Sequence, residues 1–252
     1  MIRGEFVIAI SKFIADDIQS RYRIEDDTLK IIPRGADISL FNPEDASQQA
    51  ANRLIKEWGV PDDTPVIMLP ARLTRWKGHE VLIEALSLIK DIRFFCVLVG
   101  DHDTKRNYKS ELENRIKFQG LTNKVKITGH CKDMVSAYKI SDIVISASLD
   151  PEPFGRITVE AQAMGCVVVA ADHGGAQETI QHNRTGILVE PRNSEALADG
   201  IKKALEMKTE DRTSMGIAAR EFVSSNFSRE TMCYRTMSLY CQLLDLNPQL
   251  NS

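Results

Sequence analysis

Six short apolar runs between residues 66 and 189 limit what this chain can fold into more than any other feature. Segments with the 3.6-residue periodicity of amphipathic helices separate the runs. Strands that are apolar on both faces and alternate with helices are typical of a parallel sheet covered on both sides. The sequence therefore predicts an α/β fold with a doubly wound parallel sheet. The apolar runs are residues 66–69, 94–100, 125–128, 143–148, 167–171 and 186–189.

We expect this sheet domain to cover residues 44–208. Residues 1–43 before it contain two further apolar runs around a helical pattern, which predicts a short β-α-β unit followed by a linker. Residues 209–252 carry apolar side chains spaced for two amphipathic helices. In a doubly wound sheet, ligands bind beyond the carboxyl ends of the strands, so motifs that directly follow a strand are the candidates for a site.

The composition excludes several classes of protein. The 252 residues are 43% hydrophobic and carry a net charge of −3, which fits a globular protein rather than a nucleic-acid binder with a basic surface. No apolar run approaches the ~18 residues that span a bilayer. The five cysteines form no C-x-x-C pair, so we expect reduced core thiols and a cytoplasmic protein.

The stretch after residues 143–148 predicts the main site. Pro153 and Gly155 shape a turn that leaves backbone N–H groups free at the start of a helix, and such a terminus suits a diphosphate. Glu152 and Glu160 flank this turn and can accept hydrogen bonds from hydroxyl groups. A ligand with phosphates and hydroxyls, such as a sugar nucleotide, satisfies both features. The alternative is an ordinary strand-to-helix turn with solvated glutamates.

A basic loop follows residues 66–69. Arg72 and Lys77 would reach the end of that strand, where fixed cations stabilise the charge that builds up on a departing diphosphate. The alternative interpretation is a solvated basic loop, and we assign Arg75 to that class.

The string Glu152-Pro-Phe-Gly-Arg-Ile-Thr-Val-Glu160 resembles the E-P-F-G-x4-E signature of the retaining glycosyltransferases of the GT-B fold, called family 4 or group 1. Ala71-Arg72 through Lys77-Gly78 also matches that family. The resemblance implies a Rossmann-like donor-binding domain, with Glu152, Arg72 and Lys77 as catalytic residues and no metal or other cofactor. The donor-binding residues that it implies are Arg72, Lys77, Gly129, Lys132, Glu152, Phe154, Gly155, Arg156 and Glu160.

Three loops carry weaker signals. Gly100 ends a strand as in the family, but His102-Asp103 stands where Gly-Pro is common. Asp101-x-Asp103 matches a metal motif of a different glycosyltransferase fold, and we interpret it as a bystander. The resemblance implies that loop residues 128–133 lie beside the nucleotide base. His130 could contact the ligand, but a lone histidine in a loop more often has a structural role. Residues 174–178 resemble the family's G-G-x-x-E, with Glu178 fixing the loop or touching the ligand and His173 a bystander.

The resemblance covers only the C-terminal half of a family member. It implies that residues 1–43 are a remnant of the N-terminal domain and that the two tail helices pack on that domain. Exposed apolar surface, self-association or a need for a partner would follow. The resemblance implies a UDP-, GDP- or ADP-sugar as donor and a glycan or glycolipid as acceptor, without indicating which. The style of the motif is similar to bacterial enzymes of lipopolysaccharide or capsule synthesis, which suggests a hexose such as mannose or glucose. Peripheral contact with the inner membrane is compatible with that role.

Three rival functions are considered. A dinucleotide-dependent oxidoreductase would need G-x-G-x-x-G after its first strand, and the chain has no such string. An epimerase of similar shape would lack the E-P-F-G string. A non-catalytic nucleotide-sugar-binding module or degenerate remnant stays open.

Overall fold

The computed structural model describes residues 4–101 and 106–244. Within them the chain forms eight strands and ten α-helices. The strands are β1 (Val7–Ala9), β2 (Leu29–Ile31), β3 (Val66–Pro70), β4 (Phe95–Val99), β5 (Val125–Gly129), β6 (Ile143–Ser146), β7 (Val167–Ala171) and β8 (Ile187–Val189). The helices are α1 (Lys12–Arg21), α2 (Gln48–Trp58), α3 (His79–Leu88), α4 (Arg106–Phe118), α5 (Met134–Lys139), α6 (Arg156–Ala163), α7 (Ala176–Thr179), α8 (Ser194–Leu205), α9 (Thr209–Asn226) and α10 (Arg229–Leu243).

Six strands form one parallel sheet in the order β5-β4-β3-β6-β7-β8. The chain winds outward from β3 to β5, returns beside β3, and winds outward in the opposite direction from β6 to β8. The predicted doubly wound sheet is confirmed. The winding direction reverses between β3 and β6, and the crevice at such a reversal is where doubly wound sheets bind their ligands.

Each face of the sheet has its own core. Ile67 and Leu69 of β3 face one layer with α3, α4 and α8, whereas Val66 and Met68 face the opposite layer with α2, α5 and α6. Every residue of β3, β4 and β7 is buried. Because burial stabilises by roughly 25 cal/mol per Å² of apolar surface, these two-sided strands supply much of the stability of the fold.

The first strands form a separate small layer. β1 and β2 pair in parallel, and α1 packs on them over a core of Ala9, Ala15 and Leu29. Main-chain bonds tie the following linker to the end of α9, because Ala36 donates to the carbonyl of Phe227 at 2.8 Å. The predicted β-α-β unit is therefore present.

Helix α9 departs from the predicted arrangement of the tail. We expected both tail helices to pack on a domain outside residues 44–208, but α9 packs on α6 and β7 and buries Met215 and Val223 in the sheet cores. Gly216 permits this approach, since a Cβ there would lie 2.6 Å from the carbonyl oxygen of Gly165. Amphipathic spacing predicts that a helix buries one face, but not which neighbour covers it.

Helix α10 is mostly exposed. Leu239 is its one buried residue among those described, and four large apolar side chains face outward: Tyr234, Met237, Tyr240 and Leu244. This agrees with the apolar surface predicted for the tail.

The cysteines are all free, but they do not all lie in the core. Cys96 and Cys166 are buried, and burial raises the pKa of the Cys166 thiol to about 12. Cys233 is exposed on α10, so the expectation of five core thiols is wrong there, because its helix packs only lightly on the rest of the chain. None of the helices in residues 4–101 and 106–244 has the length and apolar character to cross a bilayer.

Candidate functional site

Lys77 and Glu152 meet where the winding of the sheet reverses. Lys77 follows β3 and Glu152 follows β6, and Lys77 Nζ lies 2.7 Å from Glu152 Oε1. Their side chains are only 11% and 16% exposed, respectively. Lys77 Nζ also lies 4.1 Å from the ring centroid of Trp76. The sequence predicted that both residues face one ligand, and the structure pairs them directly.

A glycine brings the Lys77 turn against the end of β6. Gly78 has φ +73°, and a Cβ there would overlap the carbonyl oxygen of Ala147. The turn is locked to the next segment by Leu149, whose N–H donates to the carbonyl of Trp76 at 2.6 Å. This contact explains why β6 ends at Ser146, although the apolar run extends to residue 148. The chain leaves the sheet in order to meet the Lys77 turn.

Glu152 is held by Ser148 of its own loop, and Ser148 is in turn contacted by His173 from the loop after β7. The Ser148 hydroxyl makes a short hydrogen bond to Glu152 Oε1, so this oxygen receives both Ser148 and Lys77. His173 Nε2 lies 2.9 Å from the carbonyl oxygen of Ser148. The sequence interpretation of His173 was that of a bystander to the ligand, and the structure adds that its ring contacts the main chain beside the site. A contact between loops 25 residues apart leaves no local signal in the sequence.

The two glycines of the G-G-x-x-E loop let it approach the Glu152 segment. A Cβ on Gly174 would lie 2.6 Å from the carbonyl oxygen of Glu152, and one on Gly175 would overlap the main chain of Phe154. The N–H of Gly175 donates to the Glu152 carbonyl at 2.8 Å. Glu178 fixes this loop rather than facing the Lys77 pair, since its carboxylate accepts the N–H groups of Lys12 and Phe13 at the start of α1.

The start of α6 has the free donors that the sequence predicted. Gly155, with φ +85°, precedes the helix, and no side chain caps it. The N–H groups of Gly155 and Arg156 have no acceptor among the described residues. Free N–H groups at a helix start attract anions. The helix therefore presents an anion-binding terminus directly after Glu152.

Glu160 lies about one turn further along α6. It accepts a hydrogen bond from the Tyr138 hydroxyl at 3.0 Å, and Arg156 lies 3.3 Å from its other oxygen. Burial raises the pKa of Tyr138 well above its usual value, so this hydroxyl stays protonated and donates. Glu160 lines a cavity of about 530 Å³ together with Arg156 and Arg34.

Two arginines of the Lys77 loop differ in their surroundings. Arg72 is exposed and has no side-chain partner among the described residues. Arg75, predicted to be a solvated bystander, is 63% exposed, pairs with Glu80 at 2.9 Å and with Glu111, and stacks on the Tyr108 ring. These are surface contacts between the turn and helices α3 and α4.

The remaining residues that were predicted to bind the sugar nucleotide have other surroundings. The Phe154 side chain is 4% exposed and makes an edge-to-face contact with Phe227 at 5.7 Å, so its ring packs in the core and its role at the donor stays a prediction. Gly129 ends β5, two strands from β3. Lys132 is exposed and lines a separate cavity of about 210 Å³ beside Trp58. His102 and Asp103 lie outside the described residues, and within residues 4–101 and 106–244 no group of three or more His, Cys, Asp or Glu side chains is arranged to hold a metal.

His79, directly after the Lys77 turn, makes stability depend on pH. It is fully buried, and burial lowers its pKa to about 4 although the main chain of Thr74 and Ala71 opposes that shift. The unfolded chain binds the proton first, so stability is complete above about pH 6.5 and falls as the pH drops toward 4. We expect a loss of about 2 kcal/mol at pH 5 from this group.

Urea denaturation of the wild type and His79→Phe at pH 7.5 and pH 5 measures this effect. The variant should lose less stability between the two pH values, because phenylalanine keeps an aromatic ring against Tyr108 but cannot be protonated. Equal losses in both proteins would contradict the assignment.

Comparisons with known proteins show the family of this chain. A family model described as "Glycosyl transferases group 1" matches residues 51–222, which is more than half of the chain. The chain belongs to the group 1 glycosyltransferases. A D-inositol 3-phosphate glycosyltransferase of Corynebacterium glutamicum is 30% identical over 237 residues, covering 89% of this chain and 54% of the relative. The chain spans about half the length of the curated relatives that it matches.

Solved structures of other proteins have the same fold. A glycosyltransferase of Rickettsia africae superposes with a TM-score of 0.94 and 38% identity, covering 100% of this chain and 65% of that one. HepE of Anabaena, solved with UDP and glucose, superposes with a TM-score of 0.86 and 31% identity, covering 95% and 64%. These neighbours are GT-B glycosyltransferases, and the doubly wound sheet is consistent with their Rossmann-like C-terminal domain.

Proposed function

We propose that this chain is the donor-binding part of a retaining, family 4 hexosyltransferase of the GT-B fold. One observation carries the proposal: a cation, a carboxylate and an uncapped helix start converge where the sheet reverses its winding. Cation and helix start suit a diphosphate, and the carboxylate suits the hydroxyls of the sugar attached to it.

Each group then has a distinct task. Lys77 and the N–H groups of Gly155 and Arg156 bind the diphosphate, with Arg72 closing over it from the exposed side of the loop. Glu152 accepts hydrogen bonds from the hexose through Oε2, which has no partner among the described residues. Glu160 accepts them from the ribose, and Gly129 and Lys132 border the base.

Stabilising the leaving diphosphate lowers the barrier of the transfer. Negative charge grows on the diphosphate as the bond to the sugar breaks, so preorganised donors act mainly in the transition state. We propose that this chemistry needs no metal, because Lys77, Arg72 and the helix start supply the positive charge. The acceptor is proposed to be a glycan or glycolipid in cell-surface polysaccharide synthesis at the cytoplasmic side of the membrane.

Calorimetric titration with UDP-, GDP- and ADP-sugars tests donor binding. The structural neighbour solved with UDP-glucose and the GDP-mannose-dependent relatives make UDP and GDP the first pair to compare. We expect one nucleotide to be preferred and EDTA to leave binding unchanged. If EDTA abolished binding and Mn²⁺ restored it, the residues 101–103 loop would be a metal site and the metal-free proposal would fail.

A transfer assay separates the enzyme from a non-catalytic binding module. The chain is mixed with a labelled donor and a glycolipid acceptor, with and without an N-terminal half taken from a relative. Labelled glycolipid in either mixture supports the enzyme. Tight donor binding without transfer in both mixtures would favour the binding module.

A further inference from the structure

We propose that His173 is a positioning residue: through the main chain of Ser148, it holds Glu152 in the orientation that receives the hexose of the donor. This inference rests on the proposed function, which places the sugar hydroxyls on Glu152. His173 itself touches no substrate in this scheme.

The contacts run in series from His173 to the ligand side of Glu152. His173 Nε2 meets the Ser148 carbonyl at 2.9 Å, and the Ser148 hydroxyl bonds Glu152 Oε1. Lys77 occupies the same oxygen at 2.7 Å. Because Ser148 and Lys77 both donate to Oε1, the carboxylate cannot rotate freely, and Oε2 remains able to accept a hydrogen bond from a hydroxyl group of the ligand.

The chemistry of a carbonyl decides which form of His173 is present. A carbonyl oxygen only accepts, so Nε2 must carry the proton and donate it. Nδ1 is buried and has no hydrogen-bond partner among the described residues, so a second proton there would be an unsatisfied buried donor. The contact with the Ser148 carbonyl therefore requires a proton on Nε2. A residue that only filled space would need no such donor.

The surroundings make the Ser148 carbonyl dependent on this donor. Ser148 is 3% exposed and follows the end of β6, so it has left the hydrogen-bond ladder of the sheet. The main chain of His173 is fixed as well, because its backbone N–H donates to the Ala171 carbonyl at 2.9 Å. Removing the imidazole leaves a buried carbonyl without its donor and frees the peptide that orients the Ser148 hydroxyl.

Two substitutions separate positioning from space filling. His173→Gln keeps an N–H donor at about the same reach as Nε2, whereas His173→Leu keeps the bulk and removes the donor. For each variant the affinities of the preferred sugar nucleotide and of the matching nucleoside diphosphate are measured by calorimetry. The ratio of the two affinities reports the hexose contacts alone.

We expect His173→Leu to lower the sugar-nucleotide affinity about fivefold, the value of one ordinary hydrogen bond, with a smaller change for the nucleoside diphosphate. His173→Gln should restore most of the lost ratio. Equal ratios in the wild type and His173→Leu, or no rescue by His173→Gln in a folded protein, would overturn the inference. Circular dichroism melts establish that each variant is folded.

Nitrogen NMR of the imidazole gives a test that needs no ligand. The His173 signal should show a proton on Nε2, and His173→Leu should remove that signal. A ring that carries its proton on Nδ1 alone would overturn the inference. Failure of the wild type to bind any sugar nucleotide would instead refute the proposed function, while this spectrum would still decide the hydrogen bond to Ser148.

Discussion

Gly78→Ala should lower the free energy of unfolding by about 3 kcal/mol or more, whereas Gly120→Ala should lower it by about 1 kcal/mol. Both glycines have φ +73°, so both variants place an alanine in left-handed backbone. The added Cβ of Gly120→Ala meets nothing within 4 Å, but that of Gly78→Ala would overlap the Ala147 carbonyl oxygen. The difference between them therefore measures the close approach of the Lys77 turn to β6.

Urea denaturation of the two variants and the wild type checks this expectation. Gly78→Ala should also weaken nucleoside-diphosphate binding, because the clash moves the turn that carries Lys77. Similar losses of stability in the two variants would mean that the turn moves away from β6 without strain, and that Gly78 serves only its backbone angle.

Lys77→Ala should weaken binding of the preferred nucleoside diphosphate by roughly 10- to 100-fold. A hydrogen bond to a charged group is worth about 1.5–3 kcal/mol, which is the expected value of the contact between Lys77 and the diphosphate. The Lys77 side chain is only 11% exposed, so water screens this contact little. Arg75→Ala is the matched control from the same turn: it removes a cation that pairs with Glu80 and Glu111, and we expect less than about a threefold effect on binding. Calorimetry with the nucleoside diphosphate measures both.

The direct pair with Glu152 adds a second expectation. Removing Lys77 leaves a largely buried carboxylate without its cation, so Lys77→Ala should also lose stability. The double variant Lys77→Ala, Glu152→Gln should recover stability without recovering affinity. Affinity within a factor of two of the wild type in a folded Lys77→Ala protein would remove Lys77 from the site.

The fold was predictable because its strands are apolar on both faces. Each run such as residues 167–171 is too apolar for an edge and too short for a helix, and alternation with helices then leaves a doubly wound sheet. The order of the strands was not predictable, since nothing local states that β6 returns beside β3. That order is what brings Lys77 to Glu152.

The site was predictable only where a short string carries it. Glu152, Gly155 and Lys77 belong to motifs, whereas His173 acts on Ser148 through space. Phe154 shows what a motif leaves open, because an apolar ring in a core and one in a ligand pocket have the same appearance in sequence. The structure shows that this ring packs edge to face on Phe227.

The carboxylate of Glu178 joins the first helix to the second half of the chain through main-chain donors, the N–H groups of Lys12 and Phe13. Every amino acid except proline supplies such a group. The junction can therefore survive extensive change in the side chains of α1, provided that the acidic partner stays and no proline enters at either position. During evolution, helix α1 and the loop that carries Glu178 can therefore change in sequence at different rates and still bind each other. Chimeras that exchange this helix with that of a relative should keep the joint intact.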